Sequence, residues 1–386
     1  MTALLPNVDP EGLLEYSVVF TDRALNHMSE AFQEVMRDIS ATLRRAYNAE
    51  SVAVIPGGGT YAMEAVARQL ATDAKVVVLR NGWFSYRWTQ ILEAGKIPAE
   101  SFVLKARPME PESGERGRQA PFQPVPVEEA VALIAAECPA VVFAPHVETA
   151  SGMILPDGYM KQIADAVHAV GGLFVLDCIA SGTVWVDMQA VGVDVLISAP
   201  QKGWSASPCS GLVMLSKAAK ERVKATASSS FACDLKKWLE IMEAYEAGGH
   251  AYHATMPTDA LRGFRDAMKE TEAEGFARVQ AAQEELGEKV RSLFAARGFA
   301  SVAAEGFGAP GVVVCYTDDP GIKSGAKFVA AGLQTAAGVP LMCDEPDDFQ
   351  TFRVGLFGLD KLGDVDRTVA NLARALDEVV GTANVR

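Results

Sequence analysis

The chain has 386 residues, 49% of them hydrophobic and 22% charged, and a formal net charge of −14. This length supports a large core and two domains, and the composition is that of an ordinary globular protein. The acidic balance argues against nucleic acid or an anionic membrane surface as a partner, because both need a basic footprint. No apolar run is long enough to span a bilayer. The opening MTALLPNVDPEG lacks the basic and apolar regions of a secretory signal. Six cysteines are scattered with no CxxC and no metal spacing, so they read as reduced, mostly buried thiols. A cytoplasmic protein without a metal is expected.

In chain order, short β-branched runs alternate with helical patterns. SVAVI (51–55), KVVVL (75–79), AVVFA (140–144), LFVL (173–176), VDVLIS (193–198) and GLVML (211–215) read as strands. Ala62–Leu70, Val127–Glu137 and Tyr159–Val170 read as helices between them. Continuously apolar strands alternating with helices imply an α/β fold with a mostly parallel sheet covered on both faces. The stretch from Arg107 to Pro126 is rich in Pro, Glu, Gly and Arg and reads as an exposed loop. After about Arg262 the pattern becomes polar and helix-favouring, with Phe276, Val279, Leu286, Val290 and Leu293 at near-helical spacing. GVVVCY and TFRVGLF then read as strands, and Val365, Val369, Leu372, Leu376 and Val379 mark a final amphipathic helix. A large domain over residues 20–262 is expected, with a smaller α+β domain over 263–386 joined by segment 1–19 and hung on a long connecting helix.

In an open α/β sheet, ligands bind beyond the carboxyl ends of the strands. SVAVI is followed there by PGGGTYAMEA, whose glycines and Thr60 lead into a helix. A helix N-terminus with close backbone approach makes a phosphate cup, although a plain tight turn fits the stretch equally well on its own. It is neither a Walker A loop nor a GxGxxG turn. KVVVL is followed by RNGWFSYRW, with Trp83 as either a core residue or a stacking platform. LFVL is followed by Asp177, a buried carboxylate that needs a partner such as a protonated ring nitrogen. VDVLIS is followed by APQK and Lys202. A cup, an aromatic plate, a carboxylate and a lysine on one sheet edge match pyridoxal 5'-phosphate, with a Schiff-base lysine and an acid for the pyridinium.

On the stretches GGGTYAMEA, NGWFSYRW, PHVETASGM, VLDCIAS, SAPQKGWSASP, YHAT and FRVGLFG, the chain resembles the class V aminotransferases of the alanine–glyoxylate and serine–glyoxylate type. The resemblance runs from about Leu4 to the C-terminal helix. It implies fold type I, with a mostly parallel seven-stranded sheet in the large domain, and a transaminase that moves an amino group from a small L-amino acid to a 2-oxo acid such as glyoxylate or pyruvate. It also implies roles for particular residues. Lys202 would carry pyridoxal 5'-phosphate, Asp177 would pair with its ring nitrogen, Trp83 would stack on the ring and Thr149 would lie near the 3'-oxygen. Gly58, Gly59, Thr60 and Gln201 would hold the phosphate, joined by Tyr252 and Thr255 from the second subunit of a homodimer, and Arg353 would bind the substrate carboxylate. The entry segment departs from the family pattern: LPNVDPEG and TDRALNHMSEAF stand where a PGP turn and HRS are usual, which implies a different substrate pocket.

His146 is as consistent with packing as with catalysis, Cys178 and Cys209 read as core thiols, His253 as a supporting residue, and Arg80 and Arg87 as surface residues. The alternative function is a lyase or desulfurase of the same fold. A desulfurase needs a reactive cysteine on a mobile loop and generally a stacked histidine, and neither is evident. A non-enzymatic phosphate binder leaves Asp177, Lys202 and Arg353 unexplained.

Overall fold

The structure, a computed structural model, describes residues 13–109 and 119–381. The entry segment LPNVDPEG therefore lies outside the described residues. Helix α1 (Glu30–Tyr47) is capped at its start by Ser29, which accepts the Phe32 N–H, and buries Phe32, Val35, Met36, Ile39 and Leu43 along one face. Seven strands then build one sheet: β1 (Ser51–Pro56), β2 (Lys75–Arg80), β3 (Glu100–Lys105), β4 (Val141–Pro145), β5 (Leu173–Asp177), β6 (Val195–Ser198) and β7 (Ser210–Leu215). Their spatial order is β1-β7-β6-β5-β4-β2-β3. All neighbouring pairs are parallel except those of β7, which runs antiparallel to β1 and β6. The helices α2 (Gly59–Leu70), α3 (Trp83–Gly95), α4 (Val127–Glu137) and α5 (Asp157–Ala169) connect them. Strands β4, β5 and β6 are buried throughout, as their unbroken apolar runs require.

The seventh strand, β3, was not among the runs read from the sequence. It pairs only with β2 and is exposed or half-buried along its length, so ESFVLK carries no continuous apolar signal. Part of the loop expected between Arg107 and Pro126 is paired strand: Arg107–Pro108 pairs with Phe122–Gln123, and Phe122 is buried. Residues 110–118 of that stretch lie outside the described residues.

After β7 come α6 (Lys217–Ala225), α7 (Leu235–Glu246), α8 (Thr258–Glu274) and α9 (Phe276–Ala295). The single long connecting helix expected after Arg262 is two helices broken at Gly275, whose φ of +90° lies where only glycine sits comfortably. The apolar side chains change core at this break. Leu261, Phe264 and Met268 of α8 belong to the large core around the sheet, whereas Val279, Leu286, Val290 and Phe294 of α9 belong to a second core. That second core also takes side chains from β8 (Val312–Tyr316), β10 (Thr351–Gly355) and α10 (Val365–Gly381). With β9 (Ala336–Ala337), the order of this small antiparallel sheet is β8-β10-β9. A third apolar cluster, including Phe122, Met153, Val314 and Leu341, joins the two parts beneath the sheet edge that carries the candidate site.

The turn after β6 is held by a close approach. A Cβ added at Gly203 would overlap the carbonyl of Gly182, a backbone atom that cannot swing aside. Gly203→Ala should therefore destabilise the fold by about 1–3 kcal/mol, read as a lower thermal midpoint of the cofactor-free protein. An unchanged midpoint would show that this turn has room to relax.

Candidate active site

The carboxyl ends of the parallel strands bring the candidate residues to one edge. β1 runs into the cup, and α2 begins at Gly59. β4 leads into His146, Glu148 and Thr149; β5 ends on Asp177; β6 leads to the turn that holds Lys202. Strand register ties these ends together: Pro145 and Ile197 flank Asp177 on the two neighbouring strands, and the His146 N–H donates to the Asp177 carbonyl at 2.8 Å.

A residue the sequence reading did not assign organises the start of α3. Glu148 is fully buried, and its carboxylate accepts from the N–H groups of Phe84 (3.3 Å), Ser85 (2.8 Å) and Ala150 (2.9 Å) and from the Ser85 hydroxyl (2.7 Å). An anion at a helix start satisfies donors that lack intrahelical partners and meets the positive end of the helix dipole. Held this way, α3 presents two faces. Trp83 packs on Tyr86, with ring centroids 5.8 Å apart, and Tyr86 in turn carries the Arg80 guanidinium at 4.5 Å. Phe84 instead lies beneath two other guanidiniums, those of Arg87 and Arg353, each 5.4 Å from its ring centre. The ring placed among the charged groups of the site is thus Phe84, the neighbour of the Trp83 singled out from the sequence.

Asp177 is buried, with Oδ1 accepting the Ile179 N–H at 2.9 Å and no hydrogen bond to Oδ2 among the described residues. Burial pushes its carboxyl up to about 6; the Ile179 N–H and the Lys202 and Arg87 charges work against this, and the Glu148 charge adds to it. Lys202 is half-buried and has no hydrogen bond or ion pair to Nζ among the described residues; Nζ lies 5.6 Å from the Phe357 ring centre. Burial pulls its ammonium below the ordinary range, the guanidiniums of Arg353 and Arg87 add to this, and the Asp177 and Glu148 carboxylates oppose it. Arg353, on β10, donates from Nε to the Ala337 carbonyl at 2.8 Å and pairs with no carboxylate among the described residues.

The other residues fall as follows. Thr149 is buried beside Glu148, and Gln201 is exposed beside Lys202. Tyr252 and Thr255 are exposed and hydrogen-bond each other at 3.1 Å, and the Tyr252 ring packs 5.4 Å from that of His27, not against the cup. His146 is buried, with Nδ1 2.7 Å from the Ser181 hydroxyl, and burial holds its pKa down to about 4, so it is neutral near pH 7 and packs behind Asp177. His253 meets the Phe231 carbonyl at 2.8 Å. Arg80 is not a surface residue but buried, and Arg87 is half-buried and donates to the Thr60 hydroxyl at 3.1 Å. All six cysteines are free and five are buried. The exposed one, Cys138, caps the end of α4 ahead of β4, at the sheet edge opposite Lys202, so it does not supply a desulfurase's reactive thiol.

These residues fit pyridoxal 5'-phosphate. An amine without a partner, a buried acid with one free oxygen, an apolar ring and a helix N-terminus are the groups it requires. A Cβ on Gly58 would meet nothing within 4 Å, whereas one on Gly59 would overlap the Ile179 side chain. Such a sheet and such an edge define the fold-type-I class of pyridoxal-phosphate enzymes. The family model described as aminotransferase class-V matches residues 11–306, and the chain belongs to that family as a pyridoxal-phosphate-dependent transaminase. Over 312 residues the chain is 28% identical to the 2-aminoethylphosphonate–pyruvate transaminase of Syntrophobacter fumaroxidans, covering 79% of this chain and 77% of that one. It is 27% identical to the enzyme of the same description from Burkholderia ambifaria, over 90% of this chain and 89% of that one. The crystal structure of alanine–glyoxylate aminotransferase from Nostoc sp. superposes with a TM-score of 0.73 at 22% identity, covering 92% of this chain and 88% of that one.

The raised pKa of Asp177 has a signature in the cofactor-free protein. The folded state holds this proton more tightly than the unfolded chain, whose carboxyl titrates near 3.8. The contribution of Asp177 to stability therefore falls as pH rises from about 4 to about 6, and the penalty is complete above that window. Asp177→Asn should leave stability unchanged at pH 4 and raise it by up to about 3 kcal/mol at pH 7, measured by urea unfolding at both pH values. A difference of equal size at both would place the cause outside this carboxyl.

Proposed function

We infer that the protein transfers the amino group of a small amino compound to a 2-oxo acid of the pyruvate or glyoxylate type, in a site shared between two copies of the chain. The observation that carries this reading is the unpartnered Lys202 amine beside the buried Asp177 in a class-V fold. The relatives described as pyruvate transaminases support the acceptor. Six free thiols and the acidic charge agree with a cytoplasmic setting, and no described helix is long and apolar enough to cross a membrane.

Bound pyridoxal 5'-phosphate supplies an electron-withdrawing ring and a carbonyl carbon that can carry an amino group. The chain supplies the rest. Gly58, Gly59, Thr60 and Gln201 would hold the phosphate, Thr149 would serve the 3'-oxygen, and Phe84 in preference to Trp83 would be the flat surface for the ring. Asp177, ionised by the charge it would face, would hold the proton on the ring nitrogen. Lys202 would hold the cofactor through Nζ, and as a free amine it would take the α-carbon proton at Nζ and return it as an acid. Its depressed pKa keeps the amine in the basic form nearer neutral pH. Arg353 grips the substrate's acidic group through its two free Nη groups, a two-pronged contact that lysine cannot copy.

Lys202→Ala should lower turnover about a thousandfold or more in single-turnover assays that follow the cofactor's absorbance with a panel of small amino compounds and pyruvate. Wild-type turnover in that variant would end the assignment. The shared site has its own test. If Tyr252 and Thr255 serve the partner's cup, Lys202→Ala and a Tyr252→Ala/Thr255→Ala double variant, each inactive alone, should regain activity on subunit exchange. A mixed dimer then has one site with neither lesion. Mixed dimers that form but stay inactive would show that each site belongs to one chain.

A further inference from the structure

The anion cup at the start of α2 is made of neutral groups. Its donors are the backbone N–H groups at Gly58 and Gly59, the Thr60 hydroxyl and the Gln201 amide. The phosphate monoester of the cofactor carries between one and two negative charges near neutral pH. A helix N-terminus contributes only about half a charge, so the cup by itself leaves most of that charge uncompensated. Lys202 is committed to the cofactor's carbonyl carbon and Arg353 to the substrate. Arg68, in the last turn of α2 and away from the cup, is paired with Glu64 at 2.7 Å.

One cation reaches the cup. Arg87 stands one turn into α3 and donates from Nη1 to the Thr60 hydroxyl oxygen at 3.1 Å. Its guanidinium is steadied on the Phe84 ring at 5.4 Å, and it has no carboxylate partner among the described residues. The contact also polarises Thr60. A hydroxyl that accepts from Arg87 keeps its own proton free to donate. Its remaining N–H groups are free to form the planar, two-pronged contact that guanidinium makes with phosphate oxygens. Electrostatically it acts inward, favouring an ionised Asp177 and a neutral Lys202.

We propose that Arg87 is the counter-charge for the cofactor's phosphate, acting directly and through Thr60 from within the same chain. The inference rests on the reading of this edge as the cofactor site, and it assigns Arg87 to the cofactor instead of the substrate, although Arg87 and Arg353 share the Phe84 ring.

The test compares two probes on the cofactor-free protein: pyridoxal 5'-phosphate and pyridoxal, which lacks the phosphate. Dissociation constants are read from the absorbance of the bound chromophore for the wild type, Arg87→Ala and Arg87→Lys. Arg87→Ala should weaken pyridoxal 5'-phosphate by about 10- to 100-fold and leave pyridoxal within about twofold, with Arg87→Lys falling between the wild type and the alanine variant. The pyridoxal arm reports that the variant is folded with an intact ring site. Equal losses for both probes would overturn the proposal, and so would an unchanged affinity for pyridoxal 5'-phosphate accompanied by a raised KM for the amino donor. Failure of the wild type to bind pyridoxal 5'-phosphate would instead remove the underlying site reading.

Discussion

The carboxylate of Glu148 fixes the geometry of this site. A carboxylate sealed from solvent would be costly to keep ionised without protein donors to replace water. Here Phe84, Ser85 and Ala150 supply backbone N–H groups and Ser85 adds its hydroxyl. The arrangement joins the turn after β4 to the first turn of α3, two elements separate in sequence but adjacent at the sheet edge. It sets the direction in which Phe84 and Arg87 leave the helix. Because residues three apart share a helix face, Phe84 and Arg87 point together toward the cup, while Trp83 and Tyr86 point together toward the Arg80 side.

The charges around this anchor carry an excess of positive charge that anionic ligands would offset. Glu148 and Asp177 are the buried anions; Lys202, Arg87 and Arg353 are the cations about them. Neither arginine is neutralised by a carboxylate within hydrogen-bonding distance among the described residues. A site that keeps two guanidiniums unpaired on one aromatic ring is suited to two separate anionic groups, the cofactor's phosphate and the substrate's acidic end. Burial depresses the Lys202 ammonium and the same cations add to it, so residues suited to anion binding also favour a basic amine.

Arg353 comes from the small antiparallel sheet, whereas Lys202, Asp177 and the cup come from the large one. Their relative placement depends on the apolar cluster that joins the two parts, which includes Phe122, Met153, Val314 and Leu341, and on the packing of Gly203 against Gly182 beside Lys202. The break at Gly275 lets α8 follow the large core and α9 the second core, so one chain direction serves two packing surfaces.

The sequence by itself determined the order of the buried strands and which residues follow each of them. Strands covered on both faces must be apolar throughout, and parallel strands put all such following residues on one edge. Asp177, Lys202 and the cup were singled out for that reason, whereas Thr149 and Arg353 were named only through the resemblance, in PHVETASGM and FRVGLFG. The edge strand β3 was not, because one neighbour and partial exposure leave no apolar run. Tertiary structure alone decided that α8 and α9 are separate helices, because Gly275 in a polar helical pattern shows its positive φ only once the cores on either side are packed. It alone decided that Phe84 and not Trp83 lies between the arginines. Successive residues on a helix point about 100° apart, and which of two adjacent aromatics faces the site depends on how Glu148, distant in sequence, anchors the first turn. For the same reason Arg87, an ordinary helix arginine in the sequence, reaches Thr60 only because α2 and α3 start side by side at the same edge of the sheet.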